Sequence, residues 1–179
     1  VVYDFTDSRA GEHARAFLGG WRGSLVCDDF SGYKASFAGG VTEVGCLAHA
    51  RRKFVELHVA NKSTIAATAI EFIGQLYGVE RDVKELPPEQ RLQQRQARAA
   101  PIAKALHDWF IAQRTLIHEG TATAKAIDYS LKRWDALTRY LDDPALPIDN
   151  NFDEQQIRPW ATGRKTWLFA GTLMARSEE

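Results

Sequence analysis

The chain has 179 residues, 45% of them hydrophobic and 26% charged, which is enough for one sizeable core with room for an inserted subdomain. Formal net charge is zero, which excludes a global field that would draw in polyanions, so any nucleic-acid surface must be local. No apolar run approaches the roughly 18 residues of a membrane span and no signal-peptide pattern opens the chain, while two cysteines nineteen positions apart form no disulfide framework and make a reducing cytosol the default.

Val1-Val2-Tyr3-Asp4-Phe5 reads as a strand that starts without a lead-in, as if cut inside a sheet. Thr6-Asp7-Ser8 supplies caps, and Ala10 to Leu18 carries helical spacing through Ala14, Phe17 and Leu18 until Gly19-Gly20 stops it. Gly23 to Cys27 is a short apolar run, a buried-strand candidate that ends at Asp28-Asp29. Ser31-Gly32-Tyr33-Lys34 turns into a brief helix, and Val41 to Cys46 is the next strand. Helix follows strand at each step, which predicts an α/β region with at least partly parallel pairing.

From Ala48 the pattern becomes helical, and no convincing strand returns before about Trp167. Ala48 to Val59 is one helix, basic at its start. Ser63 to Leu86 carries a stripe of Ile65, Ile70, Phe72, Ile73, Leu76, Tyr77, Val79 and Val83, and Pro87-Pro88 breaks it. Glu89 to Ile117 resumes as a helix, very polar at first, with Pro101 kinking or restarting it. Gly120-Thr121 opens a last long helix with Ile127, Leu131, Trp134, Leu137 and Leu141 on one face, closed by Asp142-Asp143-Pro144. Trp109, Trp134 and their neighbours read as bundle core. The expected organisation is an α/β part over 1–60, a helical block over 61–145, and a return to the first part over 146–179.

The return segment, Leu146 to Gly171, holds the chemistry-bearing pattern. Pro147 to Asn151 places a breaker and three capping side chains ahead of Phe152 to Arg158, and Pro159 and Gly163 end that helix. Asx side chains accept orphan N–H groups at a helix start, and acids in the first turn suit the positive end of its dipole. Asp153 and Glu154 occupy that turn, and Arg158, Arg164, Lys165 and Arg176 follow with no acid after Glu154 until beyond Arg176. Carboxylates beside a basic run are what a site needs if it holds a divalent cation while gripping an anionic polymer. On spacing alone, a capped surface helix with solvated charges is the simpler reading. Cys46-x-x-His49 could be half of a zinc site, but no second pair stands at metal spacing, and a structural role fits better: Cys46 buried, His49 holding a helix start or a carboxylate.

Four stretches, in order, resemble the insertion-sequence-66 family of bacterial transposases. They are Val2-Tyr3-Asp4-Phe5 through His13, Cys27-Asp28-Asp29-Phe30-Ser31-Gly32-Tyr33, Cys46 to Phe54, and Ile148-Asp149-Asn150-Asn151-x-x-Glu154 with the block from Ile157 to Gly171. They span nearly the whole chain. The resemblance implies a ribonuclease-H-like α/β catalytic core with an all-α insertion ahead of the helix that bears the final acid. It implies DNA strand cleavage and strand transfer dependent on Mg2+, with Mn2+ able to substitute, at a cage of Asp, Asp and Glu. Asp28 matches the second Asp and Glu154 the Glu, which makes both the catalytic and metal-binding candidates. Asp29 stands where relatives have Gly, and Gln155 where they have Arg. Arg52, Lys53, Arg158, Arg164 and Lys165 are the implied DNA contacts, and Cys46, His49, Asn150 and Asn151 the implied structural residues near the site.

The first Asp of the cage has no match: Asp4, Asp7 and Glu12 fall outside the motif. The chain is therefore expected to be a fragment lacking the first two strands and, at Ser177-Glu178-Glu179, the C-terminal tail, with no catalysis of its own. The alternative is a non-catalytic DNA-binding or assembly remnant. The implied partners are transposon-end and target DNA and further copies of the protein on DNA, with no membrane, in the bacterial cytoplasm or on the nucleoid.

Overall fold

The computed structural model describes Thr6, Ser8 and residues 10–157. The expected strands at Val1–Phe5 and near Trp167 lie outside the described residues. The chain divides into two compact units. One holds Val26–Asp28 and Glu43–Asp149, the other Val1–Leu25, Asp29–Thr42 and Asn150–Glu179.

The larger unit is mostly helical. Its helices are α3 (Leu47–Asn61), α4 (Thr64–Val83), α5 (Pro88–Gln94), α6 (Ala100–Leu116), α7 (Ala122–Lys132) and α8 (Trp134–Thr138); α1 (Gly11–Leu18) and α2 (Lys34–Ala38) precede them in sequence. Two starts are capped as their sequences require: Ser63 Oγ accepts from the Ala66 N–H at 3.2 Å, and Thr121 Oγ1 from the Ala124 N–H at 3.1 Å. α3 packs on α4 and α7, and α6 packs on the same two, so the four long helices close a ring. Phe54, Ile73, Leu106, Phe110, Ile127 and Leu137 fill it, each at most 1% exposed.

Two departures from simple helical continuation have physical causes. Between α5 and α6 the residues Arg95–Ala99 form a π turn, in which the Ala100 N–H donates to the Arg95 carbonyl five residues back. Pro101 offers no N–H to the Ala97 carbonyl, so widening the turn just upstream carries the helix past the proline. The last long helix predicted from Gly120 breaks at Arg133 (φ −111°, ψ 14°) into α7, α8 and a 3₁₀ turn over Arg139–Leu141.

β1 (Ser24–Cys27) and β2 (Thr42–Gly45) pair as a two-stranded sheet, and each strand passes from one unit into the other. The Thr42 N–H donates to the Gly23 carbonyl at 2.8 Å and the Cys46 N–H to the Cys27 carbonyl at 3.2 Å. Both bonds join residues nineteen apart, so the strands run parallel, as the alternation of elements predicted. α8 lies on β2 at Gly45, where a Cβ would stand 2.9 Å from Leu137 Cδ2 and 3.1 Å from its backbone nitrogen. Gly45→Val is therefore expected to lower stability by about 1–3 kcal/mol through overpacking. A urea midpoint unchanged from the parent chain would show that α8 does not press on this strand.

The smaller unit contributes α1 (Gly11–Leu18), a 3₁₀ turn over Ser31–Tyr33, α2 (Lys34–Ala38) and helical residues 151–157. α1 packs on the 3₁₀ turn. A Cβ on Gly11 would stand 2.7 Å from the Gly32 Cα, so this approach requires glycine. Taken together, the described residues are mostly helical with one small parallel sheet, a narrower α/β element than the expected core.

Candidate functional site

Parallel strands collect polar chemistry at their carboxyl ends, because the loops there turn away from a buried sheet. At that end of β1, Cys27 is buried at 4% exposure, Asp28 is partly exposed and Asp29 is exposed. Arg133, at the break between α7 and α8, reaches this end. Its Nη2 lies 2.7 Å from Glu43 Oε1 on β2 and donates to the Asp28 carbonyl at 3.4 Å. Its guanidinium also lies 5.6 Å from the centre of the Tyr129 ring. The Arg133 side chain is 9% exposed and that of Glu43 28%, so the arginine is the more desolvated partner, and its ion pair offsets part of the cost of burying its charge. Arg139 donates to the Glu43 carbonyl, so two arginines of the helical unit hold β2 beside Asp28.

Burial pushes the Cys27 thiol up from its ordinary 9.0 to about 12, helped by Glu43 and Asp28 and opposed by Arg133. The folded thiol thus keeps its proton while an unfolded one ionises. Stability from this group is complete below about pH 9 and is lost as pH rises towards 12. Urea unfolding at pH 8 and pH 10 is expected to show a loss of stability that shrinks in Cys27→Ala. An equal loss in both chains would contradict the assignment.

α3 begins beside the end of β2. Cys46, 1% exposed, is its N-cap residue, and its carbonyl accepts from the His49 N–H at 3.2 Å. His49 is partly exposed. The Leu47 N–H donates to the Ile148 carbonyl at 3.1 Å, and the Tyr77 hydroxyl on α4 donates to Asp149 Oδ2 at 2.5 Å. Burial first, and then that hydrogen bond, raise the Tyr77 pKa well above its ordinary value. Arg52, on α3, is exposed. Lys53 places its ammonium 4.3 Å from the centre of the Tyr129 ring, beside a groove of about 350 Å³ that it lines with Glu56, Leu57 and Lys125.

Asn150 stands ahead of the helical residues 151–157, and its backbone carbonyl accepts from the Glu154 N–H at 3.0 Å. Its side-chain oxygen is buried and makes no hydrogen bond among the described residues. Asn151 and Glu154 are partly exposed, whereas Asp153 is exposed. Asp28 and Glu154 fall in different units, each with its own neighbours. Arg158, Arg164 and Lys165 lie outside the described residues. Among the described residues no three His, Cys, Asp or Glu side chains gather as a metal-holding group.

Comparison with known proteins decides the family. The family model described as "Transposase IS66 family" matches residues 1–177. The chain belongs to the IS66 transposase family. Three relatives of this IS66 chain come from Sinorhizobium fredii (strain NBRC 101917 / NGR234), all called uncharacterized proteins. y4hP is 33% identical over 189 residues, covering 96% of the chain and 34% of the relative. y4jD is 32% identical over 180 residues, covering 97% and 35%, and y4qI is 34% identical over 180 residues, covering 96% and 33%. The IS66 chain thus spans about a third of the length of the curated relatives it matches. No solved structure matches it.

Sequence reasoning missed three residues around these acids. Glu43 sat unremarked in a strand, and Arg133 inside what reads as one continuous helix. Tyr77 was counted in an apolar stripe, where only its hydroxyl distinguished it from a core aromatic.

Proposed function

We propose that this IS66 chain carries two acids, Asp28 and Glu154, of a DDE-type DNA transposase site on a ribonuclease-H-like core interrupted by the helical block. The observation that carries this reading is Asp28, partly exposed at the carboxyl end of a parallel strand, in a chain matched to the transposase family over residues 1–177. Carboxylate oxygens are the donors that Mg2+ prefers, and Mn2+ accepts the same set. Such ions, when bound, activate an attacking hydroxyl and neutralise charge at the scissile phosphate.

The chain's own residues supply placement. Arg133 pins the backbone of Asp28 and ties Glu43 beside it, so the carboxylate starts from a fixed strand end. Arg52, Lys53, Arg158, Arg164 and Lys165 are assigned to DNA phosphates, whose contacts set register rather than sequence preference. In the longer parent protein the site would cut at the transposon ends and join the freed 3′-hydroxyl to target DNA, with several copies assembled on DNA.

Two experiments test this. Water-proton relaxation with Mn2+ and the chain is expected to show weaker binding in Asp28→Asn and in Glu154→Gln, each by at least the roughly tenfold typical of losing even an outer-shell partner. The parent protein is expected to nick transposon-end DNA with Mg2+, and either substitution should abolish the nicking. Unchanged metal affinity in both variants would sink the assignment.

A further inference from the structure

Tyr77 belongs to α4 and is partly buried, and its hydroxyl donates to Asp149 at 2.5 Å across 72 positions of sequence. Asp149 immediately precedes Asn150, whose carbonyl takes the first hydrogen bond of the helical turn through the Glu154 N–H. One residue earlier, the Ile148 carbonyl is held at 3.1 Å by the Leu47 N–H at the start of α3, and Ile148 is 8% exposed. Two successive residues are thus fastened to two helices of the block just before the chain enters the turn that carries Glu154. The backbone bond from Leu47 fixes position along the chain but offers no choice of side chain. The Tyr77–Asp149 bond is a charge-assisted contact from a half-buried hydroxyl, stronger than a neutral one and sensitive to a single atom.

We infer that Tyr77 is a positioning residue for Glu154: its hydroxyl holds Asp149, the residue immediately ahead of the segment that bears the final acid. The inference rests on the reading of Glu154 as a metal ligand. It gives the Tyr77 hydroxyl a role beyond the packing of its own unit. Tyr77 touches no reacting group. It acts through Asp149, which accepts its hydrogen bond and thereby has one carboxylate oxygen held.

Amide hydrogen exchange of the full chain, followed by mass spectrometry without added metal, tests the restraint. Tyr77→Phe keeps the ring and removes only the hydroxyl. Exchange at residues 150–154 is expected to quicken about tenfold, the loss of one hydrogen bond to a charged group, with α3 and α6 unchanged. Asp149→Asn retains an oxygen that can accept from Tyr77 and is expected to keep most of the protection, whereas Asp149→Ala loses it. Exchange that quickens equally everywhere, or not at all, in Tyr77→Phe overturns the inference.

Mn2+ relaxation separates this inference from the reading beneath it. Tyr77→Phe is expected to weaken Mn2+ binding several-fold and Glu154→Gln to weaken it further. If Glu154→Gln weakens binding and Tyr77→Phe does not, Tyr77 has no positioning role and the site reading stands. If neither does, both fail together. Should Asp149→Asn lose the metal while Tyr77→Phe keeps it, Asp149 is itself a ligand and the inference is overturned.

Discussion

Glu80→Ala is expected to destabilise the helical unit by about 3–5 kcal/mol, because it strands a buried guanidinium. Arg95 lies in the π turn with 3% of its side chain exposed, facing Glu80 at 14%. The pair is bidentate, with Nε to Oε1 at 2.9 Å and Nη2 to Oε2 at 2.7 Å. Nη1 donates to the carbonyls of Tyr140 at 2.8 Å and Asp143 at 2.9 Å, and the guanidinium carbon lies 5.1 Å from the Tyr140 ring centre. One side chain therefore joins α4, the π turn and the 3₁₀ turn after α8. Removing Glu80 takes the countercharge and leaves the desolvation cost. The double variant Glu80→Leu with Arg95→Met removes both charges and is expected to lie much closer to the parent chain. Equilibrium urea unfolding of the single and double variants measures this. A Glu80→Ala chain within about 0.5 kcal/mol of the parent, the range of ordinary surface changes, would mean the pair is effectively solvated.

Phe110→Ala is expected to cost about 3–5 kcal/mol, the range for removing a buried aromatic. Phe110 is 1% exposed. Its ring stacks on Phe54 of α3 with centroids 5.4 Å apart and planes 14° apart, and meets Trp134 of α8 edge-on at 6.2 Å. The Trp109 ring lies 5.6 Å away, tilted by 45°. The residue thus ties α6 to α3 and to α8, and the vacated volume is bounded by rings too rigid to collapse into it. Phe110→Leu retains part of the volume and is expected to lose less. Near-ultraviolet circular dichroism from Trp109 and Trp134 should fall in Phe110→Ala even where helical signal survives. An unchanged aromatic signal would contradict this packing.

Much of this architecture was legible in sequence, for local reasons. Gly19, Ser63, Thr121 and Pro87-Pro88 mark helix ends through their own backbone and capping preferences. The two short apolar runs ending at Cys27 and Cys46 identify strands whose helical connection favours parallel pairing. What stayed hidden depends on distant partners. Arg95 sits in a run that reads only as very polar, and Glu80, fifteen positions back, with the Tyr140 and Asp143 carbonyls makes its burial tolerable. The break at Arg133 is invisible because Trp134, Leu137 and Leu141 continue the helical phase of Ile127 and Leu131. The chain turns there as Arg133 reaches Glu43 and Asp28 while Leu137 closes on Gly45.

The candidate site was legible in a different sense. Asp28 and Glu154 were picked out by resemblance to a family, and on spacing alone the segment around Glu154 reads as a capped surface helix. Within its unit, Asp28 stands at a strand end beside Arg133. No local pattern foretold that neighbour, because it depends on a contact spanning 105 positions.

Crystals of the chain grown with Mn2+, with diffraction measured at the manganese absorption edge, test the central claim most directly. The account predicts an anomalous peak shared by the carboxylates of Asp28 and Glu154. Ligation of one ion at about 2.1 Å would put their nearest oxygens no more than about 4.2 Å apart. Manganese bound elsewhere, with the two carboxylates on separate surfaces, would contradict it.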